Sequence, residues 1–183
     1  ITNETYIVGN SGVNYTKTKV NVKDYNVRGD GTTNDTTNLQ AAFNSQKDIY
    51  VPKGTYLISG EIEIFGNVYC EKGVEFRVAA NYTGNLFRIR SKKNLTVDNL
   101  YIDAQTNTGI VSCTGLLIEG LWAGNINNFT MFSEVGNTTN IGIDIRSSET
   151  GNLGWGAYTI TINNPYIIRG NKGIVTNKTT SDT

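Results

Sequence analysis

A short β-like block recurs along the second half of this 183-residue chain. It reads Val97-Asp98-Asn99-Leu100-Tyr101-Ile102, then Ile126-Asn127-Asn128-Phe129-Thr130-Met131, then Ile162-Asn163-Asn164-Pro165-Tyr166-Ile167. The shared asparagines, Asn99, Asn128 and Asn164, stand 29 and 36 residues apart. A Gly-Ile pair follows each block: Gly109-Ile110, Gly142-Ile143 and Gly173-Ile174. Ile89 and Ile118 precede the first two blocks by the same step. A repeat of this length built from short β segments is a solenoid signature, because one unit cannot bury its apolar face alone. Each coil supplies about three strands, stacked about 4.8 Å apart. Val97, Ile126 and Ile162 then pile in one interior column. The asparagines form a ladder at a turn, amide bonded to amide. A β-sandwich with Asn-rich turns is the competing fold.

The segment Val20 to Ile58 supplies an independent signal. Val20 and Val22 alternate with polar neighbours, as in a half-buried strand. Gly29 and Gly31 bracket Asp30 in a turn that needs positive φ. Asp35 or Thr36 is placed to cap a helix on which Leu39, Ala42 and Phe43 share one face. Ile49 and Val51 read as a strand, Pro52 to Gly54 as a turn, and Tyr56 and Ile58 as the next strand. The Asp30 cluster has too few carboxylates for a calcium loop, so it reads as a turn and cap, with no metal site expected.

This order resembles the opening of the pectate-lyase-like right-handed β-helix superfamily, in the branch of phage tailspikes and polysaccharide depolymerases. The matching residues are Asp24-Tyr25, Gly29-Asp30-Gly31, Thr33, Asp35-Thr36, Leu39-Gln40-Ala41-Ala42, Pro52, Gly54, Tyr56 and Ile58, with Asn34 where the family usually carries Asp. The resemblance implies an all-β fold, a right-handed parallel β-helix with a short N-terminal capping helix. It implies a tailspike or tail appendage on a virion, outside the cell, that binds and depolymerises a bacterial surface polysaccharide. The activity would be glycoside hydrolysis, with polysaccharide lyase chemistry second. Family habit adds a homotrimer. A non-catalytic structural or adhesin module of a virion or cell surface is the alternative, and a plant-wall or β-glucan enzyme of the superfamily is a third. Residues 1–18 read as a polar connecting segment and residues 19–183 as the β-helix domain, the N-terminal part of a longer one.

Composition narrows the chemistry. Basic and acidic residues balance at 16 each, which gives no footprint for nucleic acid and no polybasic patch for a membrane. No apolar run reaches the length of a membrane span. With 20 glycines and 2 prolines among abundant Asn and Thr, the chain suits short strands and many turns. The sequons at Asn81 and Asn94 read as turn chemistry. The two cysteines, Cys70 and Cys113, sit beside apolar strand-like residues and read as buried free thiols, with a disulfide as the alternative. The chain has no histidine, which excludes a His-based nucleophilic triad within it and most zinc sites. No cofactor is called for.

Glycosidic hydrolysis needs two carboxyl groups. Asp103, Glu119 and Asp144 are the catalytic candidates, with Glu134 and Glu149 behind them. Asp103 and Glu119 read as ending their strands, and Asp144 faces outward if Ile143 and Ile145 face in. Each acid also reads as an ordinary solvated charge. Glu119 aligns with Arg90 one coil below, which equally describes a cross-coil ion pair. Arg88, Arg90 and Arg146 are the cations suited to a sugar carboxylate. Trp122 and Trp155 are the aromatic candidates for substrate binding, Trp155 within the glycine-rich insertion 147–156. Packing beneath loops is the alternative for both. Further insertions fall near Gln105–Thr108 and Glu134–Asn140.

Overall fold

The structure is a computed structural model that describes residues 2–7, 14–105, 112–134, 139–146 and 158–177. The chain opens with β1 (Thr2–Ile7) and β2 (Asn14–Asn21), an antiparallel pair. The polar connecting segment expected over residues 1–18 is therefore largely strand, and β2 continues into the first coil. That coil adds a 3₁₀ turn at Val22–Tyr25, β3 (Asp30–Asn34) and the helix α1 (Thr36–Phe43). The second coil is β4 (Ile49–Val51), β5 (Gly54–Ile58) and β6 (Ile62–Ile64). The third is β7 (Val68–Cys70), β8 (Val74–Val78) and β9 (Thr83–Lys93). The fourth is β10 (Thr96–Asp98), β11 (Tyr101–Ala104) and the first half of β12 (Ser112–Asn127). The second half of β12 begins the fifth coil, followed by β13 (Thr130–Ser133) and β14 (Ile141–Arg146). The sixth is β15 (Tyr158–Asn163), β16 (Tyr166–Ile168) and β17 (Lys172–Asn177).

Like strands of successive coils pair in parallel and form three walls of a parallel β-helix. In the first wall Val20, Ile49, Val68, Val97, Ile126 and Ile162 stand in one register column, the column the repeat predicts. In the second, Tyr56, Phe76, Ile102, Met131 and Ile167 do the same. In the third, Ile64, Ile89, Ile118 and Ile145 follow. These columns meet in one core, where the Phe76 ring lies 5.5 Å from Tyr56 and 4.9 Å from Phe87. Strands with such alternation bury one face and leave the other to solvent.

The asparagine ladder forms as predicted. The Asn164 amide donates to Asn128 Oδ1 at 3.2 Å, Asn128 to Asn99 Oδ1 at 2.9 Å, and Asn99 to the Cys70 carbonyl at 3.1 Å. All three have φ between 50° and 57°. Asparagine is among the few L residues that adopt this left-handed conformation readily, so one residue type meets both demands. The sequon residues Asn81 and Asn94 also have positive φ, in keeping with turn chemistry.

The N-terminal motif differs in one respect from its sequence reading. Asp35 occupies the cap position of α1 without a side-chain cap bond. Its fully buried carboxylate instead accepts the amides of Arg28 at 2.6 Å and Gly29 at 2.8 Å. Thr36 Oγ accepts the Ser59 amide at 2.9 Å. Both side chains tie the helix start to neighbouring chain because the helix lies across the end of the stack. Gly29, at φ 61°, lies so close to the Tyr56 ring that a Cβ would come within 2.6 Å of it. Asp30 accepts from the amides and hydroxyls of Thr32 and Thr33, and those bonds hold its carboxyl well below the usual range.

A second correction concerns the Gly-Ile pairs. Leu116 is the register partner of Ile143, which in turn pairs Ile174, so Gly115-Leu116 is the fourth-coil counterpart. Gly109-Ile110 lies outside the described residues. A Cβ on Gly115 would come within 2.8 Å of Met131 Sδ, and one on Gly142 within 2.4 Å of Ile167 Cδ1. The close approach of side chains crossing the core sets the glycine positions. Cys70 and Cys113 are buried free thiols. Among the described residues no helix is long and apolar enough to cross a membrane.

Candidate functional site

The outer face of the third wall carries the charged residues singled out from sequence. Arg90, Glu119 and Arg146 are register partners on three successive coils, as are Arg88, Leu117 and Asp144. Glu119 does not end its strand; it lies in the middle of β12. Its Oε2 accepts from Arg88 Nε at 2.7 Å, with Arg90 Nε 3.7 Å away. Arg88 also reaches Glu61 at 3.3 Å. The Glu119 side chain is only 18% exposed. Asp144 is on the outer face but fully buried, and accepts from Arg146 Nε at 2.9 Å. It is therefore not the solvent-facing acid the alternation suggests. Glu119 and Asp144 stand two positions apart on neighbouring strands, about 8 Å between Cα atoms from strand geometry. Each acid here is matched by a guanidinium, Glu119 by Arg88 and Asp144 by Arg146.

Asp103 is not brought to this cluster. It lies within β11 on the second wall, where its Oδ1 accepts the Gln105 amide at 3.0 Å. Glu134 is exposed beyond β13, and Glu149 and Trp155 lie outside the described residues. Trp122 is 49% exposed, with the Lys93 ammonium 5.5 Å from its ring centre. It is a half-exposed side chain of the outer surface.

The second wall holds a feature that sequence reading passed over. Tyr101, Thr130 and Tyr166 share one outward column, and Asp103, Phe132 and Ile168 the next. The three aromatic rings follow one another up the axis, 5.6 Å from Tyr101 to Phe132 and 5.9 Å from Phe132 to Tyr166. Tyr166 is 56% exposed. Burial, then Asp103 and Glu75, raise the Tyr101 phenol above its ordinary pKa, so it is a neutral hydroxyl at physiological pH. The signal was present in the repeat: these aromatics occupy the parity opposite to Ile102, Met131 and Ile167. Beside Tyr101 the row meets a cleft of about 290 Å³ bordered by Glu71–Glu75 and the asparagine ladder. Among the described residues no group of three acidic or cysteine side chains is placed to hold a metal ion.

Stacked parallel coils with three register columns define a parallel β-helix. Residues 19–70 match the family model described as rhamnogalacturonase A/epimerase, pectate lyase-like. ORF18 of Geobacillus virus E2 superposes with a TM-score of 0.54 at 17% identity, over 81% of this chain and 35% of that one. A candidate glycosyl hydrolase from Parabacteroides merdae superposes with a TM-score of 0.51 at 16% identity, over 90% of this chain and 96% of that one. The chain thus spans about a third of the phage protein and nearly all of the second. No curated protein matches it in sequence. Residues 19–70 thus resemble the pectate-lyase-like family, and the described chain has the fold of a right-handed parallel β-helix.

Proposed function

We propose that this β-helix is part of a phage tailspike or tail appendage that binds and depolymerises a bacterial surface polysaccharide. The axial row of Tyr101, Phe132 and Tyr166 carries the reading. Aromatic faces receive the C–H faces of sugars, and successive coils rise about 4.8 Å, close to the length of one pyranose. A glycan laid along the helix axis meets one ring per coil. The phage protein of like fold supports placement on a virion, and the glycosyl hydrolase candidate supports action on glycans. Glycoside hydrolysis is the first chemistry, with Asp103 beside the aromatic row, and with Glu119 and Asp144, among Arg88, Arg90 and Arg146, proposed as acids for a glycan segment that reaches the neighbouring third wall. Elimination is the second. Trp122 and Trp155 are proposed as further glycan contacts, and a homotrimer as the assembly.

The experiment is incubation with a panel of purified bacterial capsular and wall polysaccharides. Retention and new reducing ends are expected, without the ultraviolet absorbance of an unsaturated uronate. Absorbance would point to elimination, and no retention would refute the reading. One observation favours a second reading, an adhesin that binds without cleaving. Glu119 and Asp144 are both held by arginines. Retention without product would select it.

A further inference from the structure

The cleft beside the aromatic row owes its existence to a change in coil length. From the first-wall column to the second, Val97 to Ile102, Ile126 to Met131 and Ile162 to Ile167 each take five residues. Val68 to Phe76 takes eight. The surplus three, Glu71 to Gly73, project past the shorter turns above and form one wall of the cleft. This wall is anchored. Glu71 accepts the Tyr50 hydroxyl and, at 2.7 Å, the Lys53 amide. The Val74 amide closes the turn on the Glu71 carbonyl at 3.2 Å, and the Lys53 stem lies against Gly73. The floor is the Tyr101 ring, Thr130 and the ladder amides of Asn99 and Asn128. Each ladder amide nitrogen has a second hydrogen beyond the one it donates along the ladder.

The row changes character at the same level. Below Tyr101 the outward positions become Glu75 and Arg77, paired at 2.8 Å, in place of aromatic rings. The aromatic row running down from Tyr166 past Phe132 to Tyr101 therefore ends at the cleft. We infer that the cleft is a terminal subsite, holding the end sugar of a glycan chain whose following residues lie on Phe132 and Tyr166. This rests on the glycan-binding reading of the row. At about 290 Å³ the cleft is at the small end of ligand sites, with room for one pyranose. Tyr101 offers an aromatic face, while Thr130, the amides and Glu75 meet hydroxyls in both donor and acceptor senses.

The test compares, at equal mass, an intact capsular polysaccharide retained in the panel with the same material sonicated to about one-tenth of its chain length. Chain-end recognition lowers the half-saturating mass concentration about tenfold, because the number of ends rises tenfold. Thr130→Trp fills the floor and is expected to abolish that gain. An unchanged half-saturation for the unmutated protein overturns the inference while the glycan-binding reading stands. If no polysaccharide is retained, both fall. A gain that survives Thr130→Trp in a folded variant places the end elsewhere and also overturns it.

Discussion

The side-chain amide of Gln40 bonds to both backbone polar atoms of Glu63, accepting its N–H at 2.7 Å and donating to its carbonyl at 3.4 Å. Residue 63 lies in β6, the first strand of the third wall, and α1 takes the place a preceding strand would occupy. A glutamine amide has the same donor and acceptor as a peptide group. One side chain therefore ends the ladder and blocks an edge that could recruit another strand.

Replacing Gln40 by Leu leaves both Glu63 groups without these partners. The expected loss is about 1–3 kcal/mol, seen as a lower urea midpoint and a lower Tm, with increased aggregation on heating. Gln40→Glu keeps the acceptor and loses the donor, so it is expected to fall between.

Asn128 sits between two ladder neighbours and has φ 53°. Asn128→Ala loses both bonds and forces a Cβ-bearing side chain without a local partner into the left-handed region. About 2–4 kcal/mol is expected. Asn128→Gly loses the same bonds without that strain and is expected to cost about 1 kcal/mol less. Urea unfolding of the two variants separates the ladder from the turn. Equal losses would show that the turn conformation contributes nothing.

Burial pushes the Cys113 thiol up to about 12 and the Cys70 thiol higher still. An unfolded thiol ionises near about 8.5. A group whose folded pKa is raised contributes its full stability below the unfolded value and loses it as pH rises toward the folded one. Stability is therefore expected to be insensitive to these thiols at pH 7 and to fall between about pH 8.5 and 12. Urea midpoints across that range should decline less steeply in Cys113→Ala. An aromatic disulfide reagent at pH 8 should label neither cysteine until denaturant is added; labelling of the native chain would contradict the burial.

Phe132 and Tyr166 are outward on the second wall, so alanine at either is expected to change stability by less than about 1 kcal/mol. Retention on the polysaccharide panel should weaken about tenfold for each. Trp122→Ala tests the rival platform. If it weakens retention while Phe132→Ala does not, the glycan lies along another face.

Much of the helix was legible in the residues because a coil repeats a chemical demand. Val97, Ile126 and Ile162 are apolar at the same phase, and Asn99, Asn128 and Asn164 solve the same turn. The site was less legible. Glu119 was aligned correctly with Arg90, yet its main partner is Arg88, two residues earlier. Direction of reach across a wall is decided by side-chain packing, not by register. Asp103 looked like a companion of Glu119 because both are acids near apolar runs; they lie on different walls. The aromatic row went unread because Tyr101, Phe132 and Tyr166 are far apart in the chain and look like ordinary core residues until parity is assigned.

Local and periodic information therefore lay in the amino-acid order itself: the winding, the interior columns, the ladder and the buried thiols. These depend on side-chain period and backbone preference, which act over a few residues and recur each turn. Tertiary structure alone decided where Asp35 spends its carboxylate, which arginine holds Glu119, and that three surplus residues at Glu71–Gly73 border a cleft. Each of those depends on what the adjacent coil places a few ångströms away, and coil lengths that differ by three residues change that neighbour without changing the pattern.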